Sequence, residues 1–189
     1  MDRTEFLKRV SQTMWKHESV VATQKFMLEL TSRPEFMNFI ENEGFLTAPA
    51  STKYHEAYPG GLVDHSLNVL NRLMWMTHNL QVKWDKWRSP FIVGLFHDIC
   101  KHDQYIWVPE ENRFIYNMNT KLAGHGSKSV EILSKYFDLT DQEKAAIRYH
   151  MGAYEKDDWA GFDEAIRKWP SSLIVHCADM YASKIDEEK

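Results

Sequence analysis

The chain has 189 residues, 43% of them hydrophobic and 26% charged, with a formal net charge of −4. This composition is typical of one soluble globular domain with a real core. The negative charge argues against a protein that coats nucleic acid through bulk charge. The longest apolar run, FIVGLF, is too short to span a membrane, and no signal peptide is recognisable. Two cysteines without a CxxC pair favour a reducing cytoplasm and exclude a zinc ribbon.

The N-terminal half is predicted to be helical, because its apolar residues recur at helical spacing. One helix is expected over residues 3–19 and a second over 21–32. A third begins at the N-cap Ser32 and stops at Gly44. A turn-rich loop, APASTKYHEAYPGG, follows. Two further helices are predicted, from about Leu62 to Leu80 and from about Ser89 to Lys101.

The segment QYIWVPEENRFIYNM breaks the helical pattern. Aromatic and β-branched residues flank PEEN, which predicts a β-hairpin near residues 104–117. Helical pattern returns from His125, and the next helix opens with the capping box Thr140-x-x-Glu143. The last helix begins after Pro170, and the acidic tail KIDEEK is expected to be a solvated terminus. The chain is therefore predicted to be mostly α, as a single helical bundle with a small inserted β-hairpin.

Several side chains that can bind metals lie at the ends or apolar edges of the predicted helices. They are His65, His97, Asp98, His125, His150 and Asp179. Imidazoles and carboxylates together suit zinc, iron, manganese or nickel. Because these residues are far apart in sequence, they can meet only where several helices project ligands into the interior of a bundle.

This ordered series resembles the HD-domain superfamily of metal-dependent phosphohydrolases, over roughly Pro49 to Lys184. The resemblance implies an HD core over 49–189, with N-terminal helices, 1–48, packed on it. It also implies two divalent transition-metal ions, manganese, iron, nickel or zinc. The first would be bound by His65, His97, Asp98 and Asp179, and the second by His125 and His150, which would share Asp98 with the first.

A narrower likeness is carried by APASTKYHEAYPGGLVDHSLNVL. It is similar to the HD portion of bacterial exoribonucleases that degrade RNA from its 3′ end, where a proline-alanine loop and a histidine also precede Gly-Gly-Leu. Those enzymes carry an additional OB-fold domain, for which there is no room before Pro49. The missing domain and the acidic charge favour a small nucleotide, whereas the likeness itself favours RNA.

Further residues are predicted to act on the substrate. Lys101 lies three residues after Asp98, so a helix would place both on one face, and a lysine at this spacing recurs in the superfamily. We expect it to be catalytic together with Asp98, by stabilising charge on a phosphate or a bound water. The candidates for substrate binding are Asn68 and Arg72, at helical spacing from His65, and, chosen for proximity in sequence, His55, Lys53, Lys121, Lys128 and Arg148.

The predicted function is hydrolysis of a phosphoester bond in a nucleotide or short oligonucleotide by a metal-activated water. Whether the enzyme would be a monoesterase or a diesterase stays open. The expected partner is a small phosphorylated substrate, with no membrane and no bulk nucleic acid, and the residues predict no oligomeric state. Two alternatives remain: a diiron oxygenase of the HD type, and a non-catalytic nucleotide-binding HD module. Tyr105 and Trp107 on the hairpin are candidates for one wall of a pocket.

Overall fold

The polypeptide folds mainly into α-helices, as its sequence predicts. The structure is a computed structural model that describes residues 1–120, 124–152 and 158–188. The helices within these residues are α1 (Arg3–Met14), α2 (Val20–Thr31), α3 (Pro34–Asn42), α4 (Gly61–Asn79), α5 (Ser89–Phe96), α6 (Gly126–Ser134), α7 (Asp141–Arg148), α8 (Trp159–Lys168) and α9 (Ser171–Tyr181). A 3₁₀ helix (Ile99–Asp103) follows α5, and a π turn (Ala182–Asp186) follows α9.

The predicted hairpin is confirmed. Strands β1 (Tyr105–Val108) and β2 (Arg113–Tyr116) pair antiparallel, with Tyr105 opposite Tyr116 and Trp107 opposite Phe114. A 3₁₀ turn over Pro109–Glu111 connects them, and Asn112 closes it with φ +47°, a left-handed conformation that asparagine tolerates. In the chain, the hairpin lies between the 3₁₀ helix after α5 and the start of α6.

Helix α4 is the centre of the molecule and packs against α1, α5 and α9. Its apolar side chains, including Leu62, Val69 and Leu70, are fully buried. Gly94 allows α5 to approach closely, because a Cβ at this position would lie 3.0 Å from Leu70 Cα. Close contact between α4 and α5 brings the side chains at the end of α5 next to those at the start of α4.

The two glycines before α4 fit the loop to the helix. Gly60 occupies the N-cap position with φ +88°, a conformation that favours glycine. A Cβ on Gly61 would lie 2.0 Å from the carbonyl oxygen of Glu56. The loop that contains His55 is thereby held against the first turn of α4. His65 lies in the next turn of the same helix.

The N-terminal helices belong to the same apolar core. Phe6 and Val10 of α1 are fully buried in it. Phe36 of α3 stacks edge-to-face on Phe96 of α5, with ring centroids 5.0 Å apart, and on Phe137 after α6. Aromatic packing of this kind adds to the free energy gained from burial alone.

Three predictions differ from the structure, and one helix was not predicted. The helix expected over residues 3–19 ends at Met14. The helix expected to reach Lys101 ends at Phe96, and the 3₁₀ helix replaces its last turn. Ser32 ends α2, where its hydroxyl donates to the carbonyl of Glu29, so it is not the N-cap of α3. Helix α8 was not predicted, because its polar sequence carries only a narrow apolar stripe. In the described part of the chain, no helix combines the length and apolarity needed to cross a bilayer.

Candidate metal centre

The six predicted metal ligands converge on one buried place. We call them the histidine–aspartate cluster, and they are His65, His97, Asp98, His125, His150 and Asp179. Five of them belong to four helices. Helices α4 and α9 carry one each within their length, and the other three lie at or just after the C-terminal ends of α5 and α7. The remaining one, His125, stands at the N-cap position of α6. Residues up to 114 positions apart in the chain thus meet only in the folded protein.

One half of the cluster surrounds the carboxylate of Asp179 and one oxygen of Asp98. His65 Nε2 lies 3.2 Å from Asp179 Oδ1 and 3.6 Å from Asp98 Oδ2. His97 Nε2 lies 3.7 Å from Asp98 Oδ2 and 4.0 Å from Asp179 Oδ1. Two imidazoles and two carboxylates therefore face a common point.

The other half uses the second oxygen of Asp98. His125 Nε2 lies 2.8 Å from Asp98 Oδ1, and His150 Nε2 lies 3.2 Å from the same atom. Asp98 thus turns one oxygen towards each half of the cluster. A single carboxylate in this position can join two neighbouring sites.

The cluster has the properties of a cation site. His65, His97 and His150 are fully buried, and Asp98 is 1% exposed. Within the described ranges, Nε2 of these three histidines and Oδ1 of Asp98 make no aligned hydrogen bond. Buried polar atoms that lack an aligned hydrogen bond are costly, and bound cations would satisfy them. The buried histidines and aspartates therefore fit the binding of a divalent metal.

Hydrogen bonds at the opposite ring nitrogens fix the histidine orientations. His97 Nδ1 donates to the carbonyl of Gly94 at 3.1 Å, and His150 Nδ1 donates to the carbonyl of Ile147 at 2.7 Å. An N–H at Nδ1 leaves the lone pair on Nε2, which is the atom that faces the cluster. Carbonyl groups in the last turns of α5 and α7 therefore orient both rings so that Nε2 can bind a metal.

His65 has a different partner, which the sequence did not reveal. Its Nδ1 lies 3.1 Å from both carboxylate oxygens of Glu187, and Asn68 Nδ2 donates to the same carboxylate at 3.0 Å. The Glu187 side chain is shielded from solvent. Next to it, Arg72 makes two hydrogen bonds to Asp186, of 2.6 and 2.5 Å.

These contacts correct the prediction that the acidic tail is a solvated terminus. It was wrong for Asp186 and Glu187, because α4 presents a row of donors to them at His65, Asn68 and Arg72. These three donors follow one another at spacings of three and four residues, so they share one face of the helix. This pattern in the sequence could have indicated an acidic partner. Asn68 and Arg72 were predicted to bind the substrate. In the structure both side chains hydrogen-bond to the C-terminal segment. Neither residue lines the cavity beside the cluster.

Lys101 stands where the sequence predicted it, although by a different local structure. Its Nζ lies 2.7 Å from Asp98 Oδ2, and the side chain is 8% exposed. Residues three apart eclipse each other in a 3₁₀ helix, so the spacing still brings Lys101 over Asp98. Burial opposes the charge, but Asp98 outweighs it and holds the pKa of Lys101 above its ordinary value, so the ammonium stays protonated.

The remaining predicted substrate contacts are spread out. The ring of His55 lies 5.0 Å from that of His65 and lines the cavity beside the cluster. Lys53 is exposed above the ring of Tyr54, and Arg148 is exposed above that of Tyr149. Lys128 is buried and paired with Asp103. Lys121 lies outside the described residues.

The charges within the cluster depend strongly on one another. Burial would favour a neutral Asp98, but Lys101, His125 and His97 hold its pKa well below the usual range. Burial lowers the pKa of His97 to about 4. Burial also opposes protonation of His65, yet the carboxylates of Asp179 and Glu187 raise its pKa to about 9. The carboxylates of the site are therefore ionised, and their negative charge is balanced by nearby positive groups such as Lys101.

Comparison with known proteins agrees with this geometry. A search of curated proteins and a search of solved structures each found no match. The family model described as HD domain matches residues 62–183. That segment spans well over half of the chain and includes every residue of the histidine–aspartate cluster. The chain belongs to the HD-domain family.

Proposed function

We propose that the protein is a metal-dependent phosphohydrolase that cleaves a phosphoester bond of a nucleotide or short oligonucleotide. The observation that carries this proposal is the position of Asp98, whose two oxygens face two groups of histidines. Its neighbour Lys101 adds a fixed positive charge at the same place. Carboxylate, imidazole and ammonium together suit the binding of a phosphate and the activation of water.

The cluster would hold two ions. His65, His97, Asp98 and Asp179 would bind one of them, and His125 and His150, sharing Asp98, would bind the other. Such ions, when bound, lower the pKa of a coordinated water and withdraw negative charge from a phosphoester. Imidazoles are neutral once they bind a metal, so they would leave the charge of the ions largely intact and keep the site attractive to an anionic substrate.

Lys101 would act on the substrate directly. Its ammonium is held by Asp98 and lines the cavity beside the cluster. There it can donate a hydrogen bond to a phosphate oxygen as negative charge develops in the transition state. A fixed cation at this point favours an anionic substrate, and it gives no advantage in binding dioxygen. This is the physical reason for preferring hydrolysis to oxygenase chemistry.

The test compares two variants on a panel of phosphomonoesters, phosphodiesters and nucleotides with added Mn²⁺. Asp98→Asn should lose both metal and turnover, because the amide lacks the negative charge and one of the two oxygens that face the halves of the cluster. Lys101→Met should keep its metal, measured by elemental analysis, but lose about 10²–10³-fold in kcat. Circular dichroism checks that both variants fold. Oxygen consumption by the metal-loaded native protein, without release of phosphate or cleavage of any diester, would overturn the proposal.

A further inference from the structure

The exposed aromatic residues of the hairpin are not explained by the metal cluster. The register of β1 and β2 places Tyr105 and Trp107 on the same face as Tyr116 and Phe114. The rings of Tyr105 and Tyr116 lie with centroids 5.3 Å apart. Tyr116 is 60% exposed although it is a large aromatic residue. A half-buried tyrosine packed on an exposed one, beside a buried charged cluster, suggests contact with a ligand.

A cavity of about 330 Å³ joins this pair to the cluster. Its wall includes Tyr54 and His55 from the loop before α4, Lys101 and His125 from the cluster side, and Tyr105 and Tyr116 from the hairpin. Trp107, which the sequence suggested as a wall residue, does not line it. The cavity thus has a polar end at Lys101 and an aromatic end formed by tyrosines from two different segments.

The chemistry of this wall selects a class of ligand. Lys101 provides a cation, His55 and His125 provide imidazoles, and no described residue of the wall carries a carboxylate. An anion is therefore favoured at the end that Lys101 and His125 line. The tyrosines at the other end offer ring faces and phenol groups, on which a planar heterocycle can stack. A sugar phosphate without a base would leave these rings uncovered.

We propose that Tyr116 and Tyr105, with Tyr54 on the facing loop, bind the base of a nucleotide whose phosphate lies at Lys101. This inference rests on the proposed function, since it assigns the part of the substrate that the hydrolytic site does not contact. It makes the hairpin the specificity element of the protein. The tyrosine site and the histidine–aspartate cluster then share one substrate across the cavity.

The test measures a ratio of affinities by calorimetry on the Mn²⁺-loaded protein, with phosphonate probes that cannot be hydrolysed. The probes are the 5′-phosphonate analogues of adenosine and uridine monophosphate, each compared with the 5-phosphonate analogue of ribose 5-phosphate. The native protein should bind the nucleotides more tightly than the sugar phosphate. Tyr116→Ala should lower this preference about 10-fold, within the range expected for loss of one stacked base. Tyr116→Phe should retain the preference, because it keeps the ring.

Ile115→Ala is the matched control, since Ile115 neighbours Tyr116 on the opposite face of β2 and is also exposed. It should leave the preference unchanged. Equal binding of nucleotide and sugar phosphate, no binding of either, or a preference that survives Tyr116→Ala would overturn the inference.

The inference and the proposed function can fail independently. Measuring hydrolysis of the phosphoester panel with Mn²⁺ shows which of the two has failed. Hydrolysis without a base preference would reject the tyrosine site alone. A base preference that follows Tyr116, without any hydrolysis, would reject the phosphohydrolase alone.

Discussion

At the scale of single residues, the cluster histidines are held at Nδ1 in different ways. His97 and His150 donate to main-chain carbonyls of the preceding turn, whereas His65 faces the carboxylate of Glu187. His125 Nδ1 lies 3.4 Å from the thiol of Cys100. A carboxylate partner makes an imidazole a stronger ligand than a carbonyl does, because it stabilises positive charge on the ring. The half of the cluster that contains His65 should therefore bind its ion more tightly.

Glu187→Gln tests this difference. Glutamine keeps the size of the side chain and can still accept a hydrogen bond from His65, but it lacks the negative charge. We expect the affinity for the more tightly bound ion to fall about 10–100-fold. Competition with a chromogenic chelator, using Zn²⁺ and Mn²⁺, measures that affinity directly and needs no enzyme activity.

Glu188→Gln is the matched control, since Glu188 is the exposed neighbour of Glu187 and no contact to the cluster is described for it. It removes the same charge from the same segment. Equal affinities in the two variants would mean that Glu187 contributes only a general negative charge, and that its contact with His65 has no influence on the metal.

The same residues show what sequence could and could not predict. The six cluster residues were identified because their order and helical contexts resemble a family pattern. Glu187 carries no such signal: it lies in an acidic run, and its partner His65 is 122 positions away. Acidic residues near a chain end are usually solvated. Only the fold brings the π turn after α9 back onto α4.

At the scale of elements, periodicity located most helices but not all of their ends. The apolar run before His97 continues the helical pattern, and nothing in it marks a stop at Phe96. At that point the backbone changes to 3₁₀ geometry, and the side chains of His97 and Asp98 lie in the cluster. Tertiary contacts of this kind override local preference. The capping box of α7, in contrast, is a local signal and was confirmed.

Helix α7 offers a prediction that follows from its cap. Thr140 Oγ1 accepts from the backbone N–H of Glu143 at 3.1 Å, and Glu143 accepts from Thr140 N–H at 2.7 Å. Glu143 also accepts from the hydroxyl of Ser89, which ties α7 to the start of α5. We expect Thr140→Ala to lower the free energy of unfolding by about 1 kcal/mol.

Urea denaturation in EDTA measures this change, so that metal binding does not contribute. Thr140→Ser is the control, because its hydroxyl can make the same bond, and it should unfold close to the native midpoint. If alanine and serine variants unfold at the same urea concentration, the cap does not stabilise α7 as its geometry suggests.

At the scale of the whole molecule, the cluster connects helices that are far apart in the chain. The resemblance predicted this gathering of helices, and periodicity predicted the mostly α fold. Helix α8 and the return of the C-terminal segment onto α4 were not predicted, since neither carries a strong apolar pattern. Asp98 after α5 faces His65 of α4, His150 after α7 and His125 before α6. Any ion held by these residues binds the folded state and not the unfolded chain.

Metal removal should therefore lower the stability of the entire protein. An ion present at 100 times its Kd stabilises the native state by about 2.7 kcal/mol. For a chain of this size the melting temperature should then rise by roughly 5–10 °C between EDTA and excess Mn²⁺ or Zn²⁺. Scanning calorimetry measures the shift.

Two variants show whether the metal raises the melting temperature by binding at the cluster or by a general effect on stability. Asp98→Asn should abolish the shift, because it removes the carboxylate that both halves of the cluster share. Thr140→Ala lies far enough from the ligands to keep it, so its melting temperature should fall by a similar amount with and without metal, as expected for independent sites. A shift that persists in Asp98→Asn would place the stabilising ion elsewhere on the molecule and would remove the main physical support for a metal-dependent hydrolase.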